Sequence, residues 1–328
     1  MKMKLLLPTT LLLLFACAFP ALANEPAQPE PGAGKAVLVT GASTGIGRRI
    51  AEDLAQKGYF VYAGARKQED LDALNEIDNI QAVRLDVTIP DDIDAAVRTV
   101  AEGGKGLYGL INNAGVYIGG PATEVEVAEL EWLMNINVTG VYRVTQAFAP
   151  MIIESRGRVA TIGSISGINS GRFSGHYSMS KHAVEAYTDS LALEMAKFGV
   201  AVSVIEPGNY DSELGETARK RILAKDYAKP GSRFADELAE WLSGDWNRSQ
   251  YKNPQEVADA AAHFLSSDQP LRRYMVVPSE DEAAWAIDKA IEEVVQYNQW
   301  QAYSYSREQL VEKLDAALKA HSGAAQTP

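Results

Sequence analysis

Cysteine is nearly missing from this chain: among 328 residues Cys17 stands alone. From residue 18 onward no disulfide can staple the fold or report its compartment. Positive charge is also in deficit, with 31 Lys and Arg against 43 Asp and Glu. The net charge of −12 becomes −14 if Lys2 and Lys4 are removed, which argues against a nucleic-acid partner. Histidine is scarce, and none accompanies Glu124, Glu126, Glu129 and Glu131. That acidic stretch therefore reads as a solvated face, and no metal site is expected. Internal repeats are lacking, and no low-complexity block stands out beyond the N-terminal linker.

An apolar run, residues 5–19, follows Lys2 and Lys4 and leads into Ala21-Leu22-Ala23, a small-x-small cleavage pattern. Residues 1–23 read as a secretory signal peptide or, because no charge occurs between Lys4 and Glu25, as an uncleaved membrane anchor. Residues 24–34 form a linker of Pro, Ala, Gly and Glu. An exported or membrane-anchored protein is expected, with the cytoplasm as the alternative if this segment does not function. After Met3 the next methionine is Met134, so a later start would delete the glycine turn described next.

The remainder, in a chain 46% hydrophobic and 23% charged, suits one large core. Residues 35–40 are a short valine-rich run that reads as a buried parallel strand. The turn Thr40-Gly41-Ala42-Ser43-Thr44-Gly45-Ile46-Gly47 follows at once, and residues 48–58 continue as a helix with Ile50, Ala51, Leu54 and Ala55 on one face. In a strand, glycine turn and helix of this order, backbone amides and the helix N-terminus bind a pyrophosphate, and the glycines allow close approach.

Residues 59–65 read as the second strand. Its end carries Arg66 and Lys67 where an NAD-binding chain would place an acid, and no acid appears until Glu69. Two cations there favour a 2′-phosphate, so NADP(H) is expected over NAD(H), the alternative being a solvated basic pair. Residues 81–87 read as a strand ending at Asp86 and Val87, and residues 109–115 as one ending at Asn113-Ala114-Gly115. Asp86 is a candidate for the adenine amino group. The Asn113 stretch is a candidate for contact with adenosine, or a pin for the central loop.

Tyr177 and Lys181 stand at i and i+4, on one face of a helix, with Ser164 thirteen residues upstream. A tyrosine with a pKa near 10 needs about 3 to 4 kcal/mol in favour of its phenolate to act as a base at neutral pH. A lysine about 5 Å away supplies roughly 3 kcal/mol at an effective dielectric near 20. Alone, such a pair is usually an exposed helical coincidence; its company gives it meaning.

Taken together, the glycine turn at 40–47, Asn113-Ala114-Gly115, Asn137 within Asn-Val-Thr-Gly, Ser164 within Ser-Ile-Ser-Gly, Tyr177-x-x-x-Lys181 and Pro207-Gly208 resemble the short-chain dehydrogenases/reductases, in family order, over about residues 35–278. Within that family the chain looks most like the branch acting on retinol, hydroxysteroids and 3-hydroxybutyrate. The resemblance implies Tyr177 as general acid/base, Ser164 hydrogen-bonded to the substrate oxygen, and Lys181 lowering the tyrosine pKa while contacting the nicotinamide ribose. Asn137 would hold a water in a proton relay. It also implies cofactor contacts from Gly41, Ser43, Thr44, Gly45, Ile46, Gly47, Arg66, Lys67, Asp86, Val87, Asn113, Ala114, Gly115, Tyr177, Lys181, Pro207, Gly208 and Ser212. Ser212 departs from the family's frequent threonine but keeps the hydroxyl.

The expected fold is α/β: a doubly wound parallel sheet in one domain at 35–278, with a helical lid and a helical extension at 279–328. Lid residues 209–252 carry Tyr210, Tyr227, Phe234, Trp241, Trp246 and Tyr251, mostly for packing. Residues 255–264 and 274–277 read as a helix and a last strand. The tail offers two amphipathic helices, the second behind a Ser306-x-x-Gln309 capping box, and no chemistry. His176 and His182 read as packing or surface residues, while Arg172 and Phe173 lie in a loop that is either within reach of a substrate or an ordinary exposed one. The activity expected is interconversion of a secondary alcohol and a carbonyl on a small, apolar substrate, in a homo-oligomer. A nucleotide-binding sensor or scaffold without turnover is the rival.

Overall fold

The computed structural model describes residues 31–225 and 231–321. Seven strands are β1 Ala36–Val39, β2 Phe60–Ala65, β3 Ile80–Arg84, β4 Gly109–Asn112, β5 Arg158–Ile162, β6 Ala201–Pro207 and β7 Arg273–Val276. They form one parallel sheet in the order β3-β2-β1-β4-β5-β6-β7. The crossovers are α1 Gly45–Gln56, α2 Gln68–Asn75, α3 Pro90–Glu102, α4 Val127–Met134 with α5 Val141–Glu154, and α6 Gly175–Met195. After β6 come α7 Leu214–Ala224, α8 Ala235–Ser243 and α9 Gln255–Ser266; α10 Glu280–Tyr297 and α11 Arg307–His321 follow β7.

Parallel strands are buried on both faces, so their sequences are continuously apolar. β1 is Ala-Val-Leu-Val, with all four residues buried. One face packs Ile50, Leu54, Phe264 and Leu265 of α1 and α9; the other packs Val144, Phe148, Ile152 and Met195 of α5 and α6. The chain is thus doubly wound. β1 pairs with β2 on one side and β4 on the other, so the strand order reverses there and a crevice opens at the carboxyl ends.

Pairing ends earlier than the sequence suggests in two strands. β3 stops at Arg84 and β4 at Asn112, leaving Asp86, Val87 and Asn113-Ala114-Gly115 in the loops just beyond. Pro31 to Gly34, assigned above to the linker, form a turn whose Gly32 amide donates to the Lys57 carbonyl at 3.1 Å.

The acidic stretch is a solvated face only in part, with Glu126 and Glu131 exposed. Glu129 is buried and reaches Arg221 at 2.6 Å and Lys225 at 3.1 Å, while Glu124 accepts from the Arg233 amide at 3.0 Å. These carboxylates fasten α4 and its approach to the lid, which sequence spacing cannot show because the partners lie about a hundred residues on. The lid has its own small core: Phe173, Ile222, Leu238 and Leu242, joined by Phe234, Trp241 and Trp246. Tyr227 falls outside the described residues.

The capping box forms as read: Gln309 Oε1 accepts from the Ser306 amide at 2.8 Å, and the Gln309 amide donates to Ser306 Oγ at 3.3 Å. Among the described residues no helix is long and apolar enough to cross a membrane. Residues 1–30, which carry the expected signal or anchor, lie outside the described part.

Candidate active site

The crevice at the carboxyl ends of the strands is a continuous cleft of about 1110 Å³, at the upper end of the roughly 300–1,000 Å³ usual for ligand pockets. Every residue named above as a cofactor contact lines it, from Gly41 on the glycine turn to Ser212 before α7. Ser164, Tyr177 and Lys181 line it too; Asn137 does not.

At the nucleotide end, the turn is built for an anion. The N-cap Thr44 makes no side-chain cap and the first turn of α1 holds no acid, so the orphan amides of that helix start are left for a ligand. Asn113 pins the turn in place: its Nδ2 donates to the Thr40 and Gly41 carbonyls at 2.9 and 3.0 Å, and Thr40 Oγ1 accepts from the Asn113 and Ala114 amides. Of the two readings of Asn113, the structure shows the pin. A Cβ on Gly47 would fall on the Asn113 amide and the Gly41 carbonyl oxygen. Gly47 is therefore a close-approach glycine, and the turn, the uncapped helix start and the open cleft fit a dinucleotide's pyrophosphate.

At the end of β2, Arg66 is mostly exposed and lies 3.8 Å from Asp86, while Lys67 pairs with Glu69 at 3.2 Å. Burial works against the Asp86 charge, but hydrogen bonds from the Thr88 amide and hydroxyl, with Arg66 beyond them, hold its carboxyl below the usual range. Asp86 is an anion already committed on one oxygen.

The reacting end sits on α6. Tyr177 lies in its first turn and Lys181 one turn on, with the Lys181 ammonium 5.6 Å from the Tyr177 ring centre. Ser164, two residues past β5, lines the cleft beside Tyr177 and favours its phenolate, while its Oγ accepts from the Ser166 amide at 3.1 Å. The electrostatics correct the expectation from spacing. Burial pushes the Tyr177 phenol up to about 12, outweighing Ser164 and the charge of Arg248. The same dry surroundings pull Lys181 down to about 8, with Glu185 opposing, and its Nζ donates to the Ile162 carbonyl at 2.8 Å. Both side chains lose solvation together, which a calculation from charge separation alone leaves out.

Asn137 sits in the wide helical turn Asn135–Gly140 between α4 and α5. Its Oδ1 accepts from the Val116 amide at 2.8 Å, and its Nδ2 donates to the Val116 carbonyl at 2.9 Å and Ser180 Oγ at 3.0 Å. The side chain holds the cleft wall to α6.

Sequence reading missed several wall residues. Tyr117 stacks 4.9 Å from Tyr177 and shares a 2.8 Å hydrogen bond with Ser174. Arg248 enters from the lid, donating to the Tyr210 carbonyl at 3.1 Å and Asn209 Oδ1 at 2.9 Å. Trp285 adds apolar wall, and Trp246, expected above as a lid residue, lines the cleft with it. The tail also reaches the site, contrary to expectation: Glu282 of α10 accepts from the Asn209 amide at 2.9 Å and from its Nδ2 at 3.1 Å. No local pattern marks these residues, since each meets the site only through folding. Conversely, Phe173 belongs to the lid core and Arg172 pairs with Glu237 at 3.0 Å, so neither faces the cleft. His176 is buried, its charge disfavoured by burial, and lines a separate hollow with His182.

A doubly wound sheet with an anion-binding glycine turn and a Ser-Tyr-Lys cluster in one cleft defines a nicotinamide-dinucleotide oxidoreductase. Residues 35–222 match the family description "short chain dehydrogenase". The chain belongs to that family, whose members bind NAD(P)(H) and act on CH–OH groups. It is 32% identical over 271 residues to the mitochondrial D-beta-hydroxybutyrate dehydrogenase of Rattus norvegicus, covering 75% of this chain and 78% of that protein. Retinol dehydrogenase 7 of the same organism is 33% identical over 257 residues, covering 73% and 80%. A short-chain dehydrogenase structure from Streptomyces avermitilis superposes with a TM-score of 0.69 at 28% identity, over 81% of this chain and 96% of that one.

Proposed function

We propose that the protein interconverts a secondary alcohol and a carbonyl with NADP(H), and that Tyr177 is its general acid/base. The observation that carries this reading is that Ser164 and Tyr177, with Lys181 one helical turn on, line the same cleft as the glycine turn. A protein that only bound nucleotide would have no use for that set.

When bound, the nicotinamide supplies or takes up the hydride. In carbonyl reduction, Tyr177 Oη gives its proton to the substrate oxygen while Ser164 Oγ donates a hydrogen bond to that oxygen and fixes its position. With its phenol pushed up to about 12, Tyr177 carries that proton at neutral pH. Oxidation needs the phenolate, which the Lys181 ammonium favours when charged; burial makes that charge hard to keep above pH 8. Asn137 serves by holding the wall through Val116 and Ser180.

The substrate wall is aromatic at Tyr117, Trp246 and Trp285, with Arg248 as a cation bonded to two neutral oxygens. Relatives named for beta-hydroxybutyrate and for retinol span anionic and apolar alcohols. The test is a panel of hydroxysteroids, retinoids and hydroxy or keto acids with their methyl esters, assayed with NADPH and NADH by cofactor absorbance. Turnover is expected with NADPH; cofactor binding without turnover on any member would return the protein to the sensor or scaffold reading.

For cofactor choice the supporting feature is Arg66, exposed at the cleft edge where a 2′-phosphate would stand. Arg66→Ala is expected to lower the NADPH to NADH ratio of kcat/KM by about tenfold or more, the worth of one charge-assisted hydrogen bond of roughly 1.5–3 kcal/mol. An unchanged ratio would remove the basis for NADP(H).

A further inference from the structure

Behind the reacting residues lies a buried acidic pair that the chemistry above does not use. Tyr177, Lys181 and Glu185 occupy successive turns of α6 on one face. Glu185 Oε1 would lie 2.8 Å from a Cβ built on Gly163 and 2.9 Å from one on Gly167, so its carboxyl fills the space under both ends of the turn carrying Ser164. Glu206, 2% exposed on β6 just before Pro207-Gly208, comes within hydrogen-bonding reach of Glu185.

Both Glu185 oxygens and Glu206 Oε1 are buried and receive no hydrogen bond from any ordinary donor among the described residues. Arg273 of β7 is the cation within 4 Å of both, at 3.3 Å from Glu185 and 3.6 Å from Glu206. Its guanidinium fork is taken by Asp189, at 2.8 Å on each arm, and Asp189 also receives Arg272 at 3.3 Å. Lys181 faces Glu185 from the preceding turn but gives its hydrogen bond to Ile162. Two adjacent buried anions with so little cationic support are strongly disfavoured, whereas one proton between them turns repulsion into a hydrogen bond.

We infer that Glu185 and Glu206 share a single proton at neutral pH, and that this carboxyl–carboxylate link is a positioning device holding α6, the Ser164 turn and the Pro207-Gly208 turn in register, with Glu185 acting on the reaction through Lys181. Burial raises the proton's affinity on both carboxyls, so the proton belongs to the pair. The link itself does not depend on the proposed reaction, but its effect on catalysis rests on that reading, so the two are measured separately.

The unfolded chain loses these protons in the ordinary carboxylate range, while the folded pair keeps one to higher pH. Stability therefore falls as pH rises above that range, and levels off once the folded pair also ionises. Glu185→Gln copies the neutral partner and cannot ionise. Relative to wild type, it is expected to flatten the fall of the urea midpoint with pH and to keep kcat within about twofold at neutral pH. It is also expected to move any lysine-linked ionisation in the kcat profile to lower pH, because the carboxylate that supports the Lys181 charge is gone. Glu185→Leu, which breaks the link, is expected to lower kcat about tenfold or more at every pH.

Infrared difference spectra of wild type need neither turnover nor cofactor. They are expected to show the carbonyl stretch of a protonated carboxylic acid at neutral pH, absent in Glu185→Gln and in Glu206→Gln. No such band in wild type, or a stability slope in Glu185→Gln equal to wild type's, overturns the shared proton. A loss in Glu185→Gln that is uniform with pH, with no shift of the profile, reduces Glu185 to packing and overturns its action through Lys181. Loss of turnover on every substrate with the band and slope intact would count against the reaction and leave the link standing.

Discussion

Tyr177→Phe is expected to lower kcat/KM for carbonyl reduction by about a thousandfold, within the 10²–10⁴ range of general acid–base catalysis. The dissociation constant of NADPH should stay within about threefold. The two numbers separate because phenylalanine keeps the ring against Tyr117, 4.9 Å away, and leaves the glycine turn untouched. Only the hydroxyl beside Ser164 is lost. Fluorescence titration of NADPH beside steady-state assays gives both quantities from one preparation. Turnover equal to wild type would show that another group delivers the proton, and the assignment of Tyr177 would fall.

The second large effect is expected at the opposite end of the cleft. Gly47→Ala places a methyl on the Gly41 carbonyl oxygen and on the Asn113 amide. The Gly41 oxygen is backbone, and Asn113 is held by three hydrogen bonds to Thr40 and Gly41, so neither can step aside. The turn must open instead. Overpacking of this kind costs about 1–3 kcal/mol of stability. Affinity for NADPH should drop further, by roughly a hundredfold, because an opened turn misdirects amides whose hydrogen bonds to phosphate are worth about 1.5–3 kcal/mol each. Calorimetric titration with NADPH checks this. Affinity within threefold of wild type would mean that the phosphates do not rest on this turn.

These two residues show what local pattern carries. Gly47 and Tyr177 are legible because a tight turn and a one-face helical pair are set by neighbours a few residues away. The same holds for the alternating strands and helices, and for the tail's capping box, whose two hydrogen bonds are three residues apart.

The readings that changed depend on distant partners or on solvent. Glu129 reads as surface until Arg221 and Lys225 are folded onto it. Asn137 reads only as a relay group until Val116 and Ser180 show that its side chain also braces the cleft wall. The tail reads as inert until Glu282 closes on Asn209, 73 residues earlier. Lysine at helical spacing suggests an acidified tyrosine; the desolvation that pushes Tyr177 up and Lys181 down is a property of the folded cleft.

The sequence by itself determined the doubly wound sheet, the glycine turn and the placing of tyrosine over lysine, because periodicity and turn chemistry are short-range. Tertiary structure alone decided the charge states of that pair, the arginine and tryptophans of the wall, and the buried Glu185–Glu206 link. Burial and electrostatics are set by whatever the fold brings alongside, and no spacing along the chain encodes them.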